Sequence, residues 1–181
     1  IEKVLFNKDS LPLYQTSSGF QASIPMSVYF QYYTKGAKSN AKFIIEEPEL
    51  NLFPTAQYEL VKFFIERVNS SSSSIFITTH SPYVLTSCNN LLQAFTTGHK
   101  RSQASKVAQV IPKKFWLNPS DVSANLMMPG GNGVENIIDD SPWCISDSGV
   151  PQCDWPGNLW HFFAGTDCGG GTRNRIVMGF D

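Results

Sequence analysis

The sequence predicts an α/β protein whose sheet is mostly parallel and is flanked by helices. Two short segments, residues 42–46 and 74–78, have the length and the β-forming residues of strands. Between them, residues 54–68 carry apolar side chains at the spacing of one buried helix face, and Pro54 suits the first turn of that helix. Strand–helix–strand alternation is typical of parallel strands joined by right-handed crossovers.

The remaining elements are predicted from local composition. Turn residues mark the loops, runs of β-forming residues mark the strands, and a Ser-Pro pair opens a short helix. In chain order we predict a strand at 3–6, a turn at 7–10, loops at 35–41 and 70–74, a short helix from Ser81 through Leu85, and strands at 91–95 and 106–111.

Composition places the chain among globular proteins, since 41% of its 181 residues are hydrophobic and 16% are charged. The net charge of −1 gives no general attraction to nucleic acid or to an anionic membrane. No apolar run approaches the ~20 residues of a membrane span and no secretion leader is visible, so we expect a cytoplasmic protein without a membrane partner. The four cysteines form no CxxC pair, which argues against a zinc site.

The sequence changes character near residue 140, which divides it into residues 1–140 and a tail at 141–181. The tail has no Lys and no Glu, and it holds three of the four tryptophans, three of the four cysteines and seven of the thirteen glycines. It shows neither helical nor strand periodicity, so we predict an irregular tail. Two explanations stay open: an irregular C-terminal extension, or loss of the native reading frame near Ser141.

Two adjacent carboxylates, Glu46 and Glu47, end the apolar run that begins at Lys42. Buried parallel strands deliver such residues to the carboxyl edge of the sheet, where α/β proteins place ligands. One carboxylate there can hold Mg²⁺ together with waters, and its neighbour can orient an attacking water. The alternative is a solvated acidic turn, which is the commoner explanation of a bare pair of charges.

A histidine follows the second apolar strand, in the segment Thr78-Thr79-His80-Ser81-Pro82. If the two strands are neighbours, His80 and Glu47 emerge at the same edge of the sheet. An imidazole placed there can contact a phosphate group and a catalytic water. Taken alone, however, a histidine in this position is more often structural than catalytic.

A Ser-Ser-Gly turn at residues 17–19 opens a helix that is predicted to run to about Tyr33. The free N–H groups and the positive end of the helix dipole make such a turn a ready anion site. The alternative is a plain N-cap at Ser17 or Ser18, which is the more frequent case. Pro25 falls inside this helix, and we expect it to kink or split the helix because proline lacks an N–H.

Taken together and in this order, the three elements resemble the C-terminal half of an ABC-type ATPase domain. The group concerned includes RecF, SMC and OLD-like proteins, which often carry the description AAA family ATPase. The matching segments are the signature motif at 17–21, Walker B at 43–48, the D-loop region at 49–54 and the switch histidine at 78–82. The resemblance is good over residues 1–95, and residues 105–140 are similar to the segment that follows in this group.

The resemblance implies a partial P-loop NTPase fold that binds ATP and Mg²⁺. It implies that Glu46 binds Mg²⁺, in a position where the family usually has Asp. It implies that Glu47 is the general base or water-orienting residue, and that His80 senses the γ-phosphate.

The resemblance also implies a head-to-tail homodimer with two ATP molecules between its subunits. The signature residues Ser17, Ser18, Gly19 and Gln21 would then bind the ATP of the second subunit. Asn51, in the D-loop, would lie at the same interface.

The phosphate cradle of such enzymes, GxxxxGK[ST], is absent from the sequence. The glycine-rich stretches at 130–133 and 165–173 lack the lysine, and the second has no apolar strand before it. In the family the cradle precedes the signature, and this chain starts with Ile1 just before the signature. We therefore expect a truncated ATPase, inactive alone, whose parent protein hydrolyses ATP.

Three functions remain as hypotheses. The first is an ATP-hydrolysing domain whose parent acts on DNA or in defence or repair. The second is a non-catalytic fragment or interaction module that binds nucleotide only with a partner, and the third is an ATPase subunit of a membrane transporter. The Glu-Glu-Pro-Glu and Thr-His-Ser-Pro segments favour the RecF-like branch over transporters. No GxxE…DxD pattern follows residue 95, so we predict no nuclease.

Overall fold

The computed structural model describes residues 2–6, 9–36, 38–100, 102–127, 134–136, 161–163 and 176–180. Within these ranges the chain is a mixed α/β protein. Its helices are α1 (Ser18–Tyr33), α2 (Pro54–Asn69), α3 (Pro82–Gly98) and α4 (Ala104–Val110). Its strands are β1 (Lys3–Phe6), β2 (Asp9–Pro12), β3 (Lys42–Glu46), β4 (Ser74–Thr79), β5 (Val122–Met127), β6 (Val134–Asn136), β7 (His161–Phe163) and β8 (Ile176–Phe180).

The main sheet has the strand order β3-β4-β8-β5-β6, and β7 pairs with β8. Neighbouring strands from β3 to β5 are parallel, whereas β6 and β7 join antiparallel. Strands β1 and β2 form a separate two-stranded antiparallel sheet. The predicted parallel sheet with flanking helices is therefore confirmed. Among the described helices, none is sufficiently long and apolar to cross a membrane.

The core lies between the sheet and helices α1, α2 and α3. Phe30 of α1 is 1% exposed, and its ring centroid lies 4.4 Å from that of Phe43 on β3 and 4.9 Å from that of Phe64 on α2. Each large apolar side chain buried in this way contributes about 1.5–3 kcal/mol. The face of α2 predicted from its periodicity is buried, with Val61 and Ile65 beside Phe64.

Helix α1 begins at the predicted N-cap. The Oγ of Ser17 accepts the N–H of Phe20 at 3.4 Å. Pro25 does not split the helix, which runs without interruption from Ser18 to Tyr33. The carbonyl deprived of its partner belongs to Gln21, and because both residues are exposed, water can satisfy that carbonyl at little cost.

Helix α3 corrects two predictions made from short apolar runs. The short helix at Ser81–Pro82 is the start of a 17-residue helix, and residues 91–95 belong to it instead of forming a strand. Val84, Cys88, Leu91 and Leu92 are buried at helical spacing along one face. Residues 106–111 were also predicted as a strand, but most of them lie in α4.

Strand β8 shows that regular structure extends into the tail at 141–181. It lies between β4 and β5 and is parallel to both, and β7 pairs in antiparallel fashion with Met178, Gly179 and Phe180 of the same strand. Two segments predicted as irregular are therefore strands, because pairing with distant strands orders them. The rest of the tail and residues 7 and 8 of the predicted turn lie outside the described residues, while Asp9 and Ser10 belong to β2.

Candidate active site

The residues that follow β3 and β4 meet at one edge of the sheet. The register places Glu46 beside Thr78, so the two strands end at the same level. Just beyond them, the Nε2 of His80 lies 2.8 Å from the Oε1 of Glu47. Both side chains reach solvent, since the His80 side chain is 53% exposed and that of Glu47 is 34% exposed. A carboxylate held by an imidazole and open to water can orient a water molecule and accept its proton.

The backbone of Glu47 adopts an unusual conformation at this edge. Its φ of 44° lies in the left-handed region, which residues other than glycine seldom occupy. Its N–H donates to the carbonyl of Thr78 at 2.9 Å, which extends the pairing of β3 with β4 by one residue. Such strain costs about 1–3 kcal/mol and persists where surrounding contacts fix it, often at functional sites.

The turn that follows, residues 47–52, is tied by its own hydrogen bonds. The N–H of Leu50 donates to the carbonyl of Glu47 at 3.1 Å, and the N–H of Leu52 donates to that of Glu49 at 3.0 Å. Asn51 has a φ of 61°, a conformation that asparagine tolerates better than most residues. The turn leads directly into α2, whose first residue is Pro54.

A buried polar network lies beneath the turn, and the sequence did not predict it. It joins Glu49, Thr79, Ser81 and Gln57, which are each at most 8% exposed. The Oε1 of Glu49 accepts the hydroxyl of Thr79 and the N–H of His80. The Oγ of Ser81 donates to Gln57 Oε1 at 2.5 Å, and the N–H of Ser81 donates to Thr79 Oγ1 at 3.0 Å.

The network closes on the turn itself. Gln57 donates through Nε2 to the carbonyl of Leu52 at 2.9 Å. One signal in the sequence marks this network, because Gln57 lies on the apolar face of α2, three and four residues before Leu60 and Val61. A polar residue on a buried helix face indicates a hydrogen-bond partner, although it does not identify that partner.

Glu46 is exposed at the end of β3. Glu46 takes part in none of the ion pairs among the described side chains. In the sheet it lies beside Thr78. No group of three or more His, Cys, Asp or Glu side chains that could hold a metal occurs in the described part of the chain. Mg²⁺ usually keeps several waters and needs only one or two carboxylates, and exposed Glu46 at the sheet edge can supply one of them.

A cavity of about 660 Å³ opens at the N-terminal end of α1, between that helix and α2. Ser17, Ser18, Gly19 and Asn51 line it together with apolar side chains of both helices. Gly19 packs so closely on the turn that a Cβ there would lie 2.6 Å from the carbonyl oxygen of Asn51. The structure therefore brings the start of α1 against the turn at 47–52 of the same chain.

Gln21 lies apart from this group. Its Nε2 donates to the carbonyls of Thr16 at 2.8 Å and of Tyr14 at 3.2 Å, so the amide holds the turn that precedes α1. The predicted site residues thus fall into two clusters, which the turn at 47–52 connects. Glu46, Glu47 and His80 lie at the sheet edge, whereas Ser17, Ser18, Gly19 and Asn51 lie at the cavity.

Cys88 is the described cysteine, and it is buried in α3. Burial raises the pKa of its thiol far above the ordinary value, because the charged thiolate is poorly solvated there. Its thiol is therefore unsuited to act as a nucleophile.

Over part of its length the chain is similar to a known protein family. Residues 1–85 match the model of the AAA ATPase domain. The matched part contains both clusters of predicted site residues, and it supports an AAA-type ATPase domain over these residues. This class of domain uses nucleotide and usually Mg²⁺. No curated protein and no solved structure matches the chain significantly.

Proposed function

We propose that this chain forms the hydrolytic edge of an ATPase domain of the ABC-like type found in RecF, SMC and OLD-like proteins. The observation that carries the proposal is the 2.8 Å contact between Glu47 and His80 beyond the ends of two neighbouring parallel strands. The match of residues 1–85 to an AAA ATPase domain supports the ATPase part of this proposal and does not distinguish the type. In this proposal the segment at 43–48 is Walker B and residues 78–82 carry the switch histidine.

Glu47 orients the attacking water and accepts its proton. Its Oε1 contacts the Nε2 of His80, so its other oxygen is left to face the water. His80 holds the carboxylate of Glu47 in place. Its imidazole is exposed, so it can also contact the γ-phosphate. A positioned general base of this kind contributes about 10²–10⁴-fold to a rate.

Glu46 is the residue that would hold Mg²⁺, through one carboxylate oxygen and intervening waters. When bound, the ion neutralises charge on the phosphate oxygens of the nucleotide. The exposure of Glu46 leaves room for those waters.

The second cluster binds the ATP of another copy in a head-to-tail homodimer. Ser18 and Gly19 lie at the N-terminus of the 16-residue helix α1, where backbone N–H groups favour an anion. Asn51 lines the same cavity and would lie at the dimer interface. Because the turn at 47–52 joins the two clusters, closure of the dimer can act on both nucleotide sites.

The test is ATP hydrolysis by the full-length protein that carries this sequence. We expect Glu47→Gln to lower kcat about 10²–10⁴-fold, because the amide cannot accept the proton. Glu59→Gln is the matched control, since Glu59 is an exposed residue of α2 whose carboxylate pairs with Lys62. Hydrolysis by Glu47→Gln at the wild-type rate would overturn the assignment of the base.

A second candidate function is nucleotide binding only with a partner, without catalysis by this chain. The observation that favours it is the absence of GxxxxGK[ST] from the sequence, because backbone N–H groups and a lysine of that loop normally hold the phosphates. The two candidates differ in what MgATP does to the isolated 181-residue chain. An unchanged melting temperature supports the second candidate, whereas a concentration-dependent rise shows that the chain itself binds nucleotide.

A further inference from the structure

Glu49 makes a direct connection between the two backbone segments that carry Glu47 and His80. It lies two residues after Glu47 in the turn, and its Oε1 accepts the backbone N–H of His80 at 3.1 Å. The same oxygen accepts the hydroxyl of Thr79, which is fully buried at the end of β4. Glu49 itself is 7% exposed, so its carboxylate lies behind the site and out of reach of solvent.

We propose that Glu49 is a positioning residue that holds the backbone of His80 so that its imidazole meets Glu47. The catalytic consequence rests on the function proposed above, but the positioning itself does not. Since Glu49 binds His80 through the main chain, it does not compete with Glu47 for the imidazole. The turn at 47–52 therefore supplies two carboxylates. That of Glu47 contacts the imidazole of His80, and that of Glu49 fixes the backbone of His80.

The cost of burying this carboxylate argues that the arrangement is specific. Its second oxygen, Oε2, is buried and has no hydrogen-bond partner among the described residues. A buried carboxylate is costly unless charge or hydrogen bonds compensate. The compensation visible here comes from the two donors on Oε1 and from the N-terminal end of α3, which begins at Pro82 and favours negative charge.

We expect a defined defect when the carboxylate of Glu49 is removed. In Glu49→Ala, the N–H of His80 and the hydroxyl of Thr79 lose their common acceptor. The turn at 47–52 then loses these bonds to the end of β4 and to His80, and the contact between Glu47 and His80 lengthens. Glu49→Gln keeps an oxygen in the same place and is expected to retain the contact.

The test is histidine-selective ¹⁵N NMR of the whole chain, in which the Nε2 signal of His80 reports its hydrogen bond to Glu47. We expect Glu49→Ala to move this signal to the position seen in Glu47→Ala, which has no acceptor for the ring. Adding Glu47→Ala to Glu49→Ala should move it no further, because both changes break the same contact. His99, which is exposed at the other end of α3, serves as the internal control and should not move.

A second pair of variants decides the matter if Glu49→Ala does not fold. Thr79→Val keeps the volume but removes one donor to Glu49, and it should move the His80 signal in the same direction. Glu49→Gln should leave that signal near its wild-type position. A wild-type His80 signal in folded Glu49→Ala, or in Thr79→Val when Glu49→Ala does not fold, would overturn the proposal.

Kinetics of the full-length protein add a separate readout. We expect Glu49→Ala to lower kcat about 10²-fold, the cost of a small misplacement of catalytic groups, with little change in the KM for ATP. Glu49→Gln should restore most of the rate. If the wild-type protein hydrolyses no ATP, the proposed function fails, and the NMR comparison still decides the role of Glu49.

Discussion

The carbonyl oxygen of Asn51 lies 2.6 Å from the point where a Cβ atom on Gly19 would be placed. The start of α1 therefore touches the turn that follows β3 with no room for a side chain. Leu52 adds to the restriction, because its Cδ2 lies 3.0 Å from the same point. This contact holds the two clusters of the candidate site in one arrangement.

Gly19→Ala should destabilise the protein by about 1–3 kcal/mol, because the new methyl group must push away a backbone oxygen. The sign of this change in stability is informative, since alanine in place of glycine inside a helix normally stabilises a protein by about 1 kcal/mol. Chemical denaturation measures the change. Gln31→Ala, at an exposed position of α1, is the control and should change stability little. An increase in stability for Gly19→Ala would show that the turn at 47–52 can move aside at little cost in free energy.

His80→Ala should lower the rate of ATP hydrolysis by the full-length protein about 10²-fold, since Glu47 loses the group that orients it. His99→Ala is the matched control, because His99 is exposed at the C-terminal end of α3 and far along the helix from the site. Steady-state kinetics with both variants make the comparison. Equal rates for the two variants would show that His80 has no role in the mechanism.

The sequence predicted the elements that rely on local signals. The N-cap at Ser17, the proline that opens α2 and the β-forming residues of β3 are all recognisable within a few residues of each element. The parallel pairing of β3 with β4 followed from the helix between them. The pair Glu47 and His80 was predictable for the same reason, because residues that follow neighbouring parallel strands meet at one edge.

The features that the sequence did not reveal depend on contacts between distant residues. Glu49 follows Pro48 in a polar turn, and nothing nearby distinguishes a buried carboxylate from a solvated one. The apolar run at 91–95 has the length of a strand, and only its phase with Val84 and Cys88 indicates a helix. Strand β8 is ordered by pairing with β4 and β5, which precede it by many residues.

The hydrogen bond between Ser81 and Gln57 should be strongly coupled in a double-mutant cycle. Each single change, Ser81→Ala or Gln57→Leu, leaves a buried polar partner unsatisfied and should cost about 1–3 kcal/mol. The double variant should cost less than the sum of the two, because it leaves fewer groups without a partner. Urea denaturation of the four proteins gives the coupling energy. Additive costs would show that the two side chains do not form the bond in solution.

Glu46→Gln should raise the Mg²⁺ concentration needed for half-maximal ATP hydrolysis, because a neutral amide holds the ion less well than a carboxylate. The rate at saturating Mg²⁺ should recover in part, which separates metal binding from the loss of the base in Glu47→Gln. The measurement is a Mg²⁺ titration of the full-length protein at fixed ATP, with Glu59→Gln as the exposed control. An unchanged Mg²⁺ requirement would show that Glu46 is not the metal ligand.

Cys88 should resist alkylation in the native protein, for two reasons that act together. The side chain is 2% exposed, and burial raises the pKa of the thiol so that little thiolate forms at neutral pH. Mass spectrometry of the peptide that contains Cys88, after iodoacetamide treatment of native and urea-denatured protein, measures the difference. We expect labelling to be slower in the native protein by orders of magnitude, since the reaction must await local or global unfolding. Because α3 carries Cys88 and begins two residues after His80, rapid native labelling would mean that the helix next to the site opens readily.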